Sequence, residues 1–258
     1  MKLTADFHTH TRYSHGKGSV LENALVAKER GLSHIGITDH GFAHPIFGLS
    51  SRKIQALKQD CAMATEKTGV KVLVGIESNV TSIQGEVDLK PKNYDHFDIF
   101  LAGIHKLILF KPGSWTIFGI PNVVLSTLKT EKAPQGLIKR STKALIEVIK
   151  KNPVDVITHV NFCSYVDPVE IAKVASDYGT YIELNAKKVH LSDEELYKVC
   201  QTGVRFVIDS DAHSPNRVGE ISLVENMLKR VDVPLDRIDN IDGRLPNFRF
   251  KAFKEKSL

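Results

Sequence analysis

The chain has few cysteines: three in 258 residues (Cys61, Cys163 and Cys200), far apart and with no CxxC. That excludes a disulfide framework and a thiolate zinc site, and it leaves buried free thiols as the expectation. No stretch approaches the roughly 18 consecutive apolar residues that a membrane span requires, so no membrane partner is expected. Met1–Val20 carries charges and three histidines but no apolar leader core. A secretory signal is therefore not expected, and a cytoplasmic location is. No GxGxxG follows the first apolar run, which weakens a dinucleotide-binding fold. Repeats and low-complexity tracts are absent too. Charge of one sign is scarce: 35 Lys+Arg against 30 Asp+Glu gives +5. A surplus that small and dispersed does not by itself imply nucleic acid, and no aromatic-basic stripe marks a single-strand channel. It does suit a small anionic substrate.

What is present is an ordinary globular balance, 42% hydrophobic and 25% charged. Short apolar runs alternate with helical spacings. Strands are predicted at Leu3–His8, His34–Thr38, Val70–Ile76, Phe97–Ile104, Val154–Thr158, Tyr181–Leu184 and Val204–Ile208. Helices are predicted at Val20–Arg30, Ser51–Thr68, Gln135–Lys151, Val169–Tyr178, Asp193–Gln201 and Arg217–Lys229, several of them stopped by glycine. Seven strands separated by helices, most reading as continuous apolar runs, predict a parallel sheet covered on both faces. The expected fold is α/β: one domain over residues 1–258, a closed or partly closed (β/α) barrel, with an open doubly wound sheet as the alternative. Ser78–Asp95 reads as a hairpin or loop. Lys106–Ala133 holds the sole tryptophan and reads either as an excursion with a small core of its own or as a lid.

The polar residues fall in one kind of place. In a (β/α) barrel the active site lies at the carboxyl ends of the strands. Here those ends carry His8 and His10, His40, Glu77, His105, His159, and Asp211 with His213; the sixth ends Glu183-Leu184-Asn185, without histidine. His8 and His10, two apart on a strand, point the same way, and the same parity is expected of Asp211 and His213. With His15 in the first loop, nine donors are too many for one ion and enough for two or three. Imidazole and carboxylate without sulfur suit zinc, manganese, iron or cobalt. Cys163, close to His159 in sequence, is not expected to be a nucleophile, because a metal ligand cannot also serve as its base.

These motifs resemble the PHP superfamily, the polymerase and histidinol phosphatase domains. The likeness rests on His8-Thr9-His10 through His15-Gly16, Ile37-Thr38-Asp39-His40, Gly75-Ile76-Glu77, Gly103-Ile104-His105, Thr158-His159 and Ser210-Asp211-Ala212-His213, and it spans essentially the whole chain. It implies a distorted seven-stranded (β/α) barrel. It further implies a trinuclear site of the stand-alone phosphatase branch, in which His15 supplies the ninth ligand. By that resemblance His8, His10, Glu77 and Asp211 hold one metal. Glu77, bridging, joins His105 and His159 on a second, and His15, His40 and His213 hold a third.

The expected activity is metal-dependent hydrolysis of a small phosphomonoester through a metal-bridging hydroxide, with zinc first and manganese or iron as alternatives. Histidinol phosphate hydrolysis is one specific form. A 3'-5' exonuclease or phosphodiesterase on nucleic-acid ends, and a metal-binding regulatory protein without turnover, are the competing classes. Arg12, His44, Lys106 and Arg217 are the candidate substrate contacts. Strand parity offers Asp6 and Asp209 as carboxylates that orient ligand imidazoles, and Asp39 as a turn residue. Oligomeric state has no signal.

Overall fold

The computed structural model describes residues 1–130 and 132–256. Seven strands form one parallel sheet in sequence order: β1 Ala5–Thr9, β2 His34–Ile37, β3 Lys71–Asn79, β4 Ile99–Gly103, β5 Val156–Ile157, β6 Tyr181–Asn185 and β7 Phe206–Asp209. Between the outer strands, β1 and β7, there is no full ladder. A parallel bridge from Thr9 to Ala212, the His10 N–H donating to Ala212 O (2.8 Å) and the Phe7 N–H donating to the Asp209 carboxylate (2.7 Å) nearly close the barrel. Buried Ala5, Phe7, Ile99, Leu101, Val156, Tyr181 and Val207 fill its interior, and the larger core packs the outer strand faces against the helices.

The helices are α1 Val20–Glu29, α2 Ser51–Thr68, α3 Ile120–Thr127, α4 Gln135–Lys151, α5 Pro168–Tyr178, α6 Asp193–Cys200, α7 Ser222–Leu228 and α8 Arg249–Lys256. Their limits follow from local chemistry. Ser19 with Glu22, and Ser192 with Glu195, form reciprocal capping boxes, and Asp167 caps α5. Gly69 and Gly179 end α2 and α5 in the left-handed conformation that a side chain resists. The last predicted helix starts later than expected. Pro215–Arg217 is a separate 3-10 turn, and Gly219 (φ +71°) breaks the path before α7 begins at Ser222.

Two departures shape the site. β3 runs three residues past its expected end, to Asn79, which carries Glu77 within the sheet. β5 shrinks to two residues, and His159, with φ +28°, turns out of the strand direction. Within the predicted Ser78–Asp95 segment, Ser78 and Asn79 complete β3, the Val80–Val87 bridge closes a hairpin, and a 3-10 turn, Pro91–His96, follows. The Lys106–Ala133 excursion has a small aromatic core. Phe110 packs edge-on against Trp115 (5.2 Å) and Phe118 (5.7 Å), and a π-helical turn, Trp115–Gly119, runs into α3. At the opposite end of the barrel α8 acts as a plug, with buried Phe250 edge-on to Tyr94 and Phe100.

Candidate metal centre

All nine expected donors converge at the carboxyl ends of the strands. Glu77 is at the centre. Its Oε1 lies 2.7 Å from His159 Nε2, 2.9 Å from His105 Nε2 and 3.3 Å from His8 Nε2, and its Oε2 lies 2.9 Å from His40 Nδ1 and 3.5 Å from His10 Nε2. Asp211 Oδ1 sits 3.4 Å from His10 Nε2 and 3.2 Å from His213 Nδ1. His15 stacks on His40 (ring centroids 4.8 Å, planes 3° apart) and meets His213 edge-on at 4.3 Å. Three overlapping triads have ligand atoms within 4.8 Å of one another: His8–His10–Asp211, His40–Glu77–His105 and His10–His40–His213.

Backbone and packing set this convergence. His8 and His10 share a face, as parity requires, and their Nε2 atoms are 3.1 Å apart. Asp211 and His213 reach the site by another route: β7 ends at Asp209, and Asp211 has φ +47°, so the alternation expected of a strand does not apply there. Gly103 gives His159 room, since a Cβ at that position would come within 2.8 Å of the imidazole and 2.4 Å of Thr158 Oγ1. Asp39 is the turn residue expected of it. Its carboxylate accepts the Thr11 N–H (2.8 Å), the Thr11 hydroxyl (2.6 Å) and the Ser14 hydroxyl, fixing the loop that carries His15.

The electrostatics fit a cation site. Burial opposes ionisation of Glu77, yet His105, His8 and His40 hold its carboxyl well below the usual range. Asp211 is likewise held well below its usual value against burial, by His8, His10, His213 and Lys187. Burial, with neighbouring imidazoles, lowers His10 strongly, His15 to about 3 and His105 to about 4, so these rings are neutral donors at ordinary pH. Burial acts the same way on His8, but Glu77, Glu183 and Asp211 overcome it and raise His8 well above its usual value. Those carboxylates favour positive charge near His8 Nε2. Glu77 Oε2 and His40 Nδ1 face each other without hydrogen-bond geometry, and Nδ1 of His105 and of His159 has no partner. Buried polar atoms left so cost about 1–3 kcal/mol each, and divalent ions ligated by nitrogen and oxygen would satisfy those that point inward. The residues present fit such ions.

The carboxylate that orients an imidazole is neither Asp6 nor Asp209. Asp6 accepts from the Ser210 hydroxyl (2.5 Å), the Ser210 N–H (3.1 Å) and the Gly219 N–H (2.7 Å), and Asp209 from the Phe7 N–H. Both clamp the β1–β7 seam. The sequence reading missed Glu183. Its Oε1 accepts from His8 Nδ1–H at 2.6 Å and its Oε2 from the His159 N–H at 2.6 Å. One carboxylate thus fixes the His8 tautomer and holds His159 in its left-handed bend. An acidic residue inside a buried parallel strand was the available signal.

The cavity above the cluster has a volume of about 190 Å³, and His44, Lys106, Phe162, Cys163 and Lys187 complete its walls. Of the expected substrate contacts, His44 and Lys106 are therefore in place. Arg12 and Arg217 are not. Arg12 is exposed and acts on Glu22 of α1, while Arg217 reaches Ala186 O at 3.5 Å. Lys187 was unforeseen; its Nζ lies 3.3 Å from Asp211 Oδ1 and 3.1 Å from His213 Nδ1. Burial pushes the Cys163 thiol up to about 12, which makes it a poor nucleophile. His190 puts its ring 5.1 Å from Phe162.

A seven-stranded barrel with a nitrogen- and oxygen-lined cation centre at its mouth is the class of protein that fold and site define. A family model, the PHP domain, matches residues 6–187, and the chain belongs to that family. It is 29% identical over 256 residues to a probable phosphatase of Caldanaerobacter subterraneus subsp. tengcongensis, covering 93% of this chain and 88% of the relative. It is 30% identical over 265 residues to a probable phosphatase of Thermoanaerobacter sp., covering 96% and 95%. The fold is similar to that of histidinol phosphate phosphatase from Lactococcus lactis subsp. lactis, crystallised with zinc, L-histidinol and phosphate. That match has a TM-score of 0.63 at 14% identity and covers 97% of this chain and 98% of the other.

Proposed function

We propose that this chain hydrolyses a small phosphomonoester at a centre of two or three divalent ions held by His8, His10, His15, His40, Glu77, His105, His159, Asp211 and His213. Membership of the PHP family and relatives named as probable phosphatases make it a metal-dependent phosphoesterase, a hydrolase. The observation that carries the finer reading is Glu77: one buried carboxylate with four imidazole nitrogens within 3.3 Å, which is the surrounding a bridging ligand needs. Zinc suits this nitrogen-rich set best, with manganese or iron as alternatives.

Divalent ions there would polarise phosphoryl oxygens and lower the pKa of water. The chain's own groups do the rest. Lys106 and Lys187 line the cavity and supply cationic N–H donors for a phosphate dianion. Lys106 is steadied by donating to Thr127 Oγ1 (3.2 Å). Glu183 keeps His8 Nε2 turned inward. The cavity, about 190 Å³ and open at the barrel mouth, has room for a phosphate dianion, and relatives named as probable phosphatases support a monoester over a nucleic-acid strand. The test is turnover by metal-loaded protein of p-nitrophenyl phosphate against bis-p-nitrophenyl phosphate and labelled oligonucleotides. Monoester hydrolysis alone is expected. Dominant diester or nuclease activity would point to the exonuclease reading, and no turnover with ions bound to a regulatory one.

A further inference from the structure

The excursion beside His105 carries no acidic residue from Lys106 to Thr130 and no charge at all between Lys111 and Lys129. Its helical part, Trp115–Thr127, is turned the wrong way round for a core helix. The inward side holds Phe118 and a buried Asn122, whose Nδ2–H donates to Ser141 Oγ of α4 at 3.0 Å. The outward side holds Ile117, Ile120, Val124 and Leu128, which are 41%, 47%, 47% and 70% exposed. Spacings of three and four residues put these four on one stripe. Leu107 and Leu109 are exposed before it, alternating with buried Ile108 and Phe110, and Trp115 is partly exposed. Ile46 and Phe162 add exposed apolar side chains from the loops after β2 and β5.

These loops share one rim. The Leu109 N–H donates to Ala43 O (2.9 Å), the Tyr165 hydroxyl reaches Leu125 O (3.2 Å) and Thr130 O (2.5 Å), and Lys106 and Phe162 both line the cavity mouth. Apolar surface of this kind on a soluble domain marks a contact face.

We propose that this rim docks on an anionic lipid bilayer. Charge decides the occupant. Lys106, Lys111, Lys129 and Lys132 flank the apolar stripe in sequence, with Glu131 as the one acidic residue among them, and among the described residues the counter-charge is Glu86, 3.5 Å from Lys111. A second copy of the chain, paired about a two-fold axis, would set this lysine rim against itself. A bilayer of anionic headgroups complements it. The stripe then enters the acyl boundary, Trp115 sits at headgroup level, and the lysines extend to the phosphates. The expectation of no membrane partner rested on the lack of a spanning run, and an interfacial helix needs none. The mouth opens within this face, and it is placed to receive a terminal phosphomonoester on a lipid headgroup whose apolar chain stays in the lipid. That last clause rests on the phosphoesterase reading; the docking does not.

Co-sedimentation tests it, using the full chain with phosphatidylcholine vesicles with and without equimolar phosphatidylglycerol. The chain should pellet with anionic vesicles, less with neutral ones, and less as salt is added. The double variant Val124→Glu/Leu128→Glu should lose about tenfold or more of its partition, with p-nitrophenyl phosphate turnover in free solution unchanged. Wild-type protein remaining in the supernatant with anionic vesicles at low salt overturns the proposal, as does a double variant that pellets as well as wild type. Light scattering that shows a wild-type dimer, a monomeric variant and no vesicle binding assigns the face to a second copy and overturns it too. Binding is read without turnover, so a failure of the phosphoesterase reading would leave this result standing, and the reverse holds.

Discussion

Glu77 and Asp155 lie at opposite ends of the barrel, both fully buried. Burial alone would drive each towards its neutral form. Asp155, beneath β5, accepts the Phe100 N–H (2.9 Å) and the Phe250 N–H (2.8 Å), and burial still raises its carboxyl from 3.8 to about 7. Glu77, amid imidazoles, moves the opposite way. The bottom of the barrel uses a carboxylate as a structural acceptor, tying β4 to α8 with backbone donors. The mouth gathers donors around a carboxylate in an arrangement that makes sense only with positive charge among them. The same side-chain chemistry at the same depth is a clamp at one end and a ligand at the other, and the neighbours decide which.

The largest expected effect comes from breaking the mouth at its hub. Glu77→Gln keeps the shape and removes the charge. It should lower kcat/KM by about a thousandfold or more, about 4 kcal/mol of lost transition-state stabilisation, and reduce the metal bound per chain as measured by elemental analysis. His40→Ala should remove one ion's occupancy and most of the turnover while far-UV circular dichroism stays native. Unchanged activity in either variant would remove the substituted residue from the centre.

Glu183→Gln probes the layer behind the ligands. The amide has one acceptor oxygen where the carboxylate uses both of its own, so either the His8 Nδ1–H bond or the His159 N–H bond is lost. A loss of about 10–100-fold in metal affinity is expected, read by competition with a chelating dye, with activity returning at high metal. Smaller still is Lys187→Met. Losing one cationic donor from the cavity wall should raise KM about tenfold, about 1.4 kcal/mol, with kcat changed only a few-fold. The same substitution at Arg12 should do nothing measurable, because that exposed side chain does not line the cavity.

The sequence made the donors legible and the supports much less so. His8 and Glu77 lie near the carboxyl ends of their strands, and His10, His40 and His105 just beyond theirs, where a period of two and a parallel sheet fix direction. Asp211 and His159 reach the same place on left-handed backbone, which no periodicity announces. The structure brings both into the cluster, but for Asp211 the parity argument offered was not the reason. That argument, carried on to Asp6 and Asp209, assigned imidazole contacts to residues that hold the barrel seam. Glu183 was passed over because its strand end lacks histidine, although an ionisable group buried in an apolar strand is itself a signal. The excursion was legible as a packed element. Its exposed stripe was not, because apolar spacing gives a helix face without saying whether that face turns inward.

The sharpest contrast with the mouth is Asp155→Asn. Metal content and turnover per folded molecule should stay within about twofold of wild type, since nothing at that end touches a ligand. Stability is where the change should show. The amide accepts one N–H well and presents its own NH2 to the other, which costs about 1–3 kcal/mol. The penalty should depend on pH. A carboxyl whose folded pKa is raised from 3.8 to about 7 contributes stability fully below its unfolded pKa, and loses it as pH rises through the folded one. Metal-free wild type should therefore lose stability relative to the Asn variant between about pH 4 and pH 7, by up to about 4 kcal/mol, and the gap in urea midpoints should narrow and then reverse over that range. A gap independent of pH would mean that Asp155 stays ionised throughout, held by its two backbone donors. The difference between the two ends of the barrel would then lie in the geometry of their donors and no longer in their charge.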